Sequence, residues 1–223
     1  MEKAGKDDKG APRSDPREKI IDALMALAAE WPWQEISLGD VAGRAGVSLA
    51  QFRDLFPSKG AILGGFSRRI DRQVLEGGPS AGESAKDRLF DVLMRRFDAM
   101  APYKEALKNI NAWAMRDPIA LPSLNQLALN SLRFMLEAAG LSSEEPLGAL
   151  KLQGLALAWA HVFHVWLDDD SADSARTMAA LDRELARGEV FVERADEARR
   201  RLEPLARPLI GLAERVLGVV ARR

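Results

Sequence analysis

The two histidines of the chain, His161 and His164, stand three residues apart and run into Asp168, Asp169 and Asp170. Residues at i and i+3 share a helix face, so this is the cluster closest to metal-ligand chemistry. A third ligand at a defined spacing is missing, and so is an HExxH arrangement with its glutamate base. The pair is therefore expected as core or interface histidines, bonded to helix carbonyls or to a dimer mate. The three acids precede a following helix, whose dipole favours them there. The sequence has no Cys, which removes thiolate zinc sites, cysteine nucleophiles and disulfides. It also lacks GxSxG, a phosphate-cradling glycine loop and a dinucleotide fingerprint. No enzyme, cofactor or metal site is expected.

A second group is polar and basic: Ser48, Gln51, Arg53 and Lys59. Their hydroxyl, amide, guanidinium and ammonium groups are those that contact phosphates and base edges of DNA. They lie on and beside two short helical segments. Ser37 suits the N-cap of Leu38–Ala45, and Gly46 suits the left-handed residue after it. Ser48 then caps Leu49–Phe56, and Ser58 caps a longer helix to about Leu75. With Val41, Ala42, Ala45, Val47 and Phe52 inside, this is a helix-turn-helix pattern whose second helix enters a major groove. Charge argues the other way. Residues 1–75 hold 12 Lys/Arg against 11 Asp/Glu, so counterion release has little to work with. Leu49 and Ala50 make no base hydrogen bond and can only touch a thymine methyl. The motif reads either as a DNA contact or as a packing unit alone.

Composition sets the frame for these residues. The chain has 223 residues, 47% hydrophobic and 29% charged, with a formal net charge of -1. Ala and Leu far outnumber Val and Ile, and Thr occurs once; that balance excludes an all-β fold and predicts an all-α one. Near-neutral charge excludes a strongly basic coat. The first 16 residues are polar and read as a disordered tail, and 77–82 reads as a linker. The expected organisation is a helix-turn-helix domain at 17–76, a helical lipid-pocket and dimerisation domain at 83–188, and C-terminal helices at 189–223. Helices are expected at roughly 84–99, 103–115, 122–139, 144–167, 172–187, 189–203 and 205–221, broken at Pro102, Pro118, Pro122, Gly140, Gly188 and Pro204. The apolar stretch 152–167 is too short for a membrane span. With no apolar leader visible, a cytoplasmic location is expected, or a peripheral one on the inner membrane face.

Two apolar constellations remain. Phe97, Trp113, Phe134, Met135, Trp159 and Phe163 are large enough to line an apolar cavity, or to fill a core. The terminal segment carries Leu205, Leu209, Leu212, Val216 and Val219 or Val220 at helical spacing, widened by Ile210 and Leu217. Residues 199–223 include seven Arg and two acids. A basic amphipathic helix of this kind suits a membrane surface. Its contacts would be Arg207, Leu209, Ile210, Leu212, Arg215, Val216, Leu217, Val220, Arg222 and Arg223. Docking on the protein's own bundle, or in a dimer, uses the same stripe.

ISLGDVAGRAGVSLAQFRDLFPSKGAIL (Ile36–Leu63) resembles the DNA-binding domain of TetR-family regulators, over about Arg17–Arg72. The Gly46-Val47-Ser48 turn, Phe56 and the Ser58-Lys59 helix start carry it. The resemblance implies that Lys59 grips a phosphate beside free helix N–H groups. The recognition helix departs from the family: Leu49, Ala50 and Arg53 replace a polar pair and a Tyr. RLFDVLMRRFDAMAPYKEAL (Arg88–Leu107) and LALAWAHVFHVWLDDDSADSARTMAALDREL (Leu155–Leu185) resemble the ubiquinone-biosynthesis accessory family, a lipid-binding TetR-fold group. That resemblance implies a homodimer, a pocket for an isoprenoid lipid or quinone, a membrane-touching tail and a quinone hydroxylase partner. The leading expectation is a lipid-presenting accessory protein of ubiquinone biosynthesis. The alternative is a TetR-type DNA-binding repressor with a hydrophobic effector.

Overall fold

In the computed structural model, residues 15–78, 84–144 and 147–220 are described, without the side chains of 199–200 and 202–220. The expected tail at 1–16 and the linker at 77–82 fall largely outside them. The described residues form helices α1 (Pro16–Glu30), α2 (Leu38–Ala45), α3 (Leu49–Leu55), α4 (Lys59–Glu76), α5 (Ala85–Met100), α6 (Lys104–Ala114), α7 (Ala120–Ala138), α8 (Gly148–Leu167) and α9 (Ala175–Val220), with a 3₁₀ turn at Ala101–Tyr103. No strand occurs among them. None of these helices is long and apolar enough to cross a membrane.

The chain divides into two compact units. One takes Met1–Glu76 and Arg96–Leu127; the other takes Gly77–Arg95 and Ala128–Arg223. α5 and α7 each give residues to both units.

In the first unit α1 is the hub, packing on α2, α4 and α6. Asp15 accepts from the Arg17 N–H at 2.9 Å, and Pro16 occupies the first helical position, where its missing N–H costs nothing. Ile20, Ile21, Leu24, Leu27 and Ala28 recur at helical spacing and are buried. Asn109 of α6 donates to the Ala28 carbonyl at 2.9 Å. A buried ion pair joins α4 to the end of α5: Arg96 donates to Asp71 at 2.8 Å. Burial weakens the hold of that guanidinium on its proton, and the Asp71 charge opposes this.

In the second unit α8 packs on α9, with Leu152, Leu155, Ala156, Trp159, Val162 and Trp166 turned inward. Arg88 donates to the Ala139 carbonyl at 2.9 Å and Lys86 pairs with Asp182 at 2.7 Å, tying α5 to α7 and α9. The α8–α9 turn is built on Asp169. Its Oδ2 accepts from the Thr177 N–H and hydroxyl at 2.8 and 2.7 Å, and its Oδ1 accepts from the Ser171 N–H and hydroxyl. Asp169 is buried, which by itself raises a carboxyl pKa. The hydrogen bonds from Ser171 and Thr177 outweigh that and hold it well below the usual carboxylate range.

The main difference from the expected elements lies at the C-terminus. Three helices, at 172–187, 189–203 and 205–221, are one helix, α9. A glycine such as Gly188 costs a helix about 1 kcal/mol but supplies no stop by itself. A proline such as Pro204 removes one rung of the hydrogen-bond ladder, which a long helix bridges with a kink. Pro122 likewise lies in the first turn of α7, where the missing N–H has no helical partner to lose.

Asp169→Ala should destabilise the protein by about 2–4 kcal/mol in urea unfolding, because two buried donors on Thr177 lose their acceptor. The native carboxyl is held below its unfolded pKa, so its contribution is present above about pH 4 and is lost as pH falls further. The acid limb of the wild-type stability curve should be steeper than that of the variant.

Candidate nucleic-acid interface and ligand cavity

The helix-turn-helix is assembled by two reciprocal caps. Ser37 Oγ accepts from the Asp40 N–H at 3.1 Å, and Asp40 Oδ2 accepts from the Ser37 N–H at 2.8 Å. The Ser37 hydroxyl also donates to Asp40 Oδ2 at 2.6 Å, and that bond, with the one from the Ser37 N–H, keeps the Asp40 carboxyl below its ordinary pKa. Ser48 Oγ accepts from the Gln51 N–H at 3.2 Å, and Gln51 Oε1 accepts from the Ser48 N–H at 3.0 Å. Between the two, Gly46 takes φ 67°, ψ 33°, a left-handed conformation that costs most other residues strain.

Orientation of α3 is set by Phe52 and Phe56, both 2% exposed. Phe56 packs close to α4 at Gly65, where an added Cβ would stand 3.0 Å from the Phe56 ring and 3.1 Å from Ile21. Arg17 covers the Phe56 ring at 4.7 Å. With that side inward, Leu49, Ala50, Gln51, Arg53 and Asp54 are exposed. Leu49 is 60% exposed, unusual for so large an apolar side chain.

The sequence-designated contacts are then distributed unequally. Ser48 and Gln51 are turned onto each other. Lys59 is half-buried: its Nζ donates to the carbonyls of Trp33 at 2.6 Å and Ile36 at 2.7 Å and sits 4.6 Å from the Trp33 ring. Burial pulls its pKa down. Two of its three donors thus bind the α1–α2 connection to α4, so its first role here is to brace the motif. Arg44 is held by Glu30 in a two-pronged pair at 3.1 and 2.8 Å. Arg53 lies open on the outer face of α3.

The six aromatic and apolar residues expected to line a cavity or fill a core do not form one cluster; Trp159 and Phe163 are in ring contact, at 6.2 Å between centroids. Phe97 is 1% exposed and lies with Trp113 in the first unit; Trp113 packs on Trp33 at 5.3 Å between ring centroids. Met135 and Trp159 are core residues of the second unit, Phe163 lies between Trp159 and Trp166, and Phe134 is 54% exposed. The second unit instead holds a cavity of about 740 Å³ among α5, α7, α8 and α9. Its walls include Leu89, Leu136, Leu141, Leu155, Leu185 and Phe191; its charged residues include Lys86, Lys151, Glu184 and Arg187. None of the six lines it. Leu and Gly positions at the start of α5, the end of α7, the first half of α8 and the interior of α9 line this cavity, and no local sequence signal marks them.

Both histidines are exposed on α8 rather than in the core. His161 Nε2 is 3.9 Å from Glu184. Among the described residues no cluster could hold a metal. The contact residues expected on the tail, from Arg207 to Arg223, lie outside the described side chains.

Neither a family model nor a curated protein matches this chain. Solved structures do. A TetR transcriptional regulator from Nitrosomonas europaea ATCC 19718 is 25% identical, with a TM-score of 0.61 over 79% of this chain and 99% of that one. One from Rhodococcus sp. RHA1 is 23% identical, with a TM-score of 0.57 over 82% and 99%. A tetR-family transcriptional regulator from Streptomyces coelicolor is 18% identical, with a TM-score of 0.52 over 91% and 99%. The chain has the TetR-like all-α fold.

Gly65→Ala should destabilise the protein by about 1–3 kcal/mol through overpacking against Phe56. Lys59→Met should cost a similar amount, because two carbonyls lose their cation. Urea unfolding checks both; a neutral Lys59→Met would show that the ammonium is not a brace.

Proposed function

We propose that this chain is a DNA-binding transcriptional regulator that acts as a homodimer. The observation that carries the reading is the α3 outer face: a capped, rigidly seated helix with Leu49, Ala50 and Arg53 turned to solvent. The fold similarity to proteins described as TetR transcriptional regulators supports it. A single seven-residue helix reads few base pairs, so two copies on a two-fold site are needed for useful specificity.

The second unit offers a surface for that pairing. Leu150, Gly154, Leu157, His161 and His164 recur at alternating four and three along α8, and all are exposed in the single chain. Val190 and Phe191 of α9 are exposed as well; Leu150, Gly154, Leu157 and Phe191 also line the cavity, so the pairing surface and the cavity share a wall. A 4-3 spacing of this kind forms the seam of a helix bundle.

The 740 Å³ cavity favours a second activity, binding of an apolar small molecule, in the size range of ligand sites. This is also the support for the lipid-presenting reading. Its ubiquinone-biosynthesis role, its quinone hydroxylase partner and its membrane contact rest on the sequence resemblance. Native mass spectrometry with lipid extraction, on protein from its own host, separates the two. About one isoprenoid per subunit without DNA affinity favours the accessory role.

DNA selection from a random pool, followed by fluorescence anisotropy, tests the regulator reading. Arg53→Ala should weaken the selected site by about tenfold or more. A dimer offering Arg53 and the remaining Lys59 donor from each chain neutralises about four phosphates, so log K should fall against log salt with a slope of about −4. A much steeper slope would place the main phosphate contacts outside α3 and α4. Leu157→Glu should convert the dimer to monomer in light-scattering chromatography, because it places a charge on the seam.

A further inference from the structure

We infer that α3 discriminates DNA sequence mainly by apolar contact with thymine methyl groups, through Leu49 and Ala50. This rests on the DNA-binding reading above and names what that interface recognises.

Hydrogen-bond readout from α3 is largely used up inside the protein. Gln51 is the residue suited to adenine, and adenine recognition needs its carbonyl and amide together. That carbonyl already accepts from the Ser48 N–H at 3.0 Å and the Ser48 hydroxyl at 3.3 Å. The Ser48 hydroxyl is spent on the same cap. Freeing either side chain undoes the N-terminus of a helix of about two turns, too short to hold by propensity. Lys59 is held by two carbonyls. Arg53 and Asp54 are left for polar contact, and Asp54, an anion, suits only a cytosine amino group.

Apolar surface is what α3 presents. Phe52 and Phe56 point inward, while Leu49, Ala50 and Arg53 are exposed, and Arg53 neighbours the other two by the i, i+4 and i, i+3 relations of a helix. Leu49 lies four residues from Arg53 and Ala50 three. One guanidinium thus borders a platform of three methyl groups. The major-groove group that matches such a platform is the thymine 5-methyl, the one apolar feature among the base edges. Leu49 exposed to water gains nothing for the folded chain, since burial is what stabilises a leucine. Covered by a thymine methyl, it becomes useful surface.

The test replaces thymine by uracil in the selected half-site, which removes the methyl and leaves every hydrogen-bonding group in place. The full-length protein should bind the uracil site about fourfold more weakly per methyl, from the transfer free energy of one buried methyl. Leu49→Ala should show little or no thymine–uracil difference, with its unfolding midpoint unchanged because Leu49 is exposed. The coupling in that four-way cycle is the signature of direct contact. Equal affinity of the wild type for thymine and uracil sites overturns the inference while leaving the DNA-binding reading intact. An undiminished thymine preference in Leu49→Ala also overturns it. Absence of DNA binding by the wild type on selected and bulk DNA alike overturns the reading and the inference together.

Discussion

Phe56 packs into the core against a residue 65 that carries no side chain. A Cβ there would stand 3.0 Å from the ring, tighter than nearly all such contacts, so the ring would have to shift. With Phe56 and Phe52 seated, α3 has one rotation left about its own axis. Everything proposed for the outer face follows from that rotation. A turn of 100° would expose Phe52 and bury Leu49, and the same seven residues would present a different surface. Arg17 above the Phe56 ring, and Lys59 against Trp33, close the arrangement from α1 and from the α1–α2 connection.

Polar groups around the motif serve the fold before they serve a ligand. Ser37 and Asp40 satisfy each other, as do Ser48 and Gln51. Lys59 satisfies two carbonyls, and Arg44 meets Glu30. Short helices cannot hold themselves by propensity, so their caps carry the order that longer helices gain from length. The cost is chemical: each capped group is withdrawn from recognition. A surface with near-zero net charge and few free donors must then rely on shape and apolar contact more than on counterion release. The second unit is arranged in a related way. Lys86 with Asp182 and Arg187 with Glu184 pair at the edge of the cavity, leaving leucines and Phe191 to form its walls.

The local signals were legible wherever chemistry acts within a few residues. Ser37, Gly46 and Ser48 mark the ends of α2 and α3 because capping and left-handed turns involve neighbours at i+3 or closer. The stripe Ile20, Ile21, Leu24, Leu27 identified α1 for the same reason. Legibility failed where a local rule competes with length. Gly188 and Pro204 read as ends, yet α9 runs through both. It also failed where partners come from distant segments. Aromatic size left open whether Phe97, Trp113, Phe134, Met135, Trp159 and Phe163 line a cavity or fill a core, and the set is divided between two units because α5 and α7 contribute to both.

The sequence by itself determined the all-α class, the helix-turn-helix and its caps, because composition, periodicity and capping are short-range properties of the chain. Only the tertiary structure decided which polar side chains remain available and where a cavity opens. Lys59 looks like a free cation until Trp33 and Ile36, 26 and 23 residues away, are seen to hold it. Leu89, Leu136, Leu155 and Leu185 look like ordinary core until four helices place them around empty space. Availability and emptiness are relations between distant residues, and packing alone sets them.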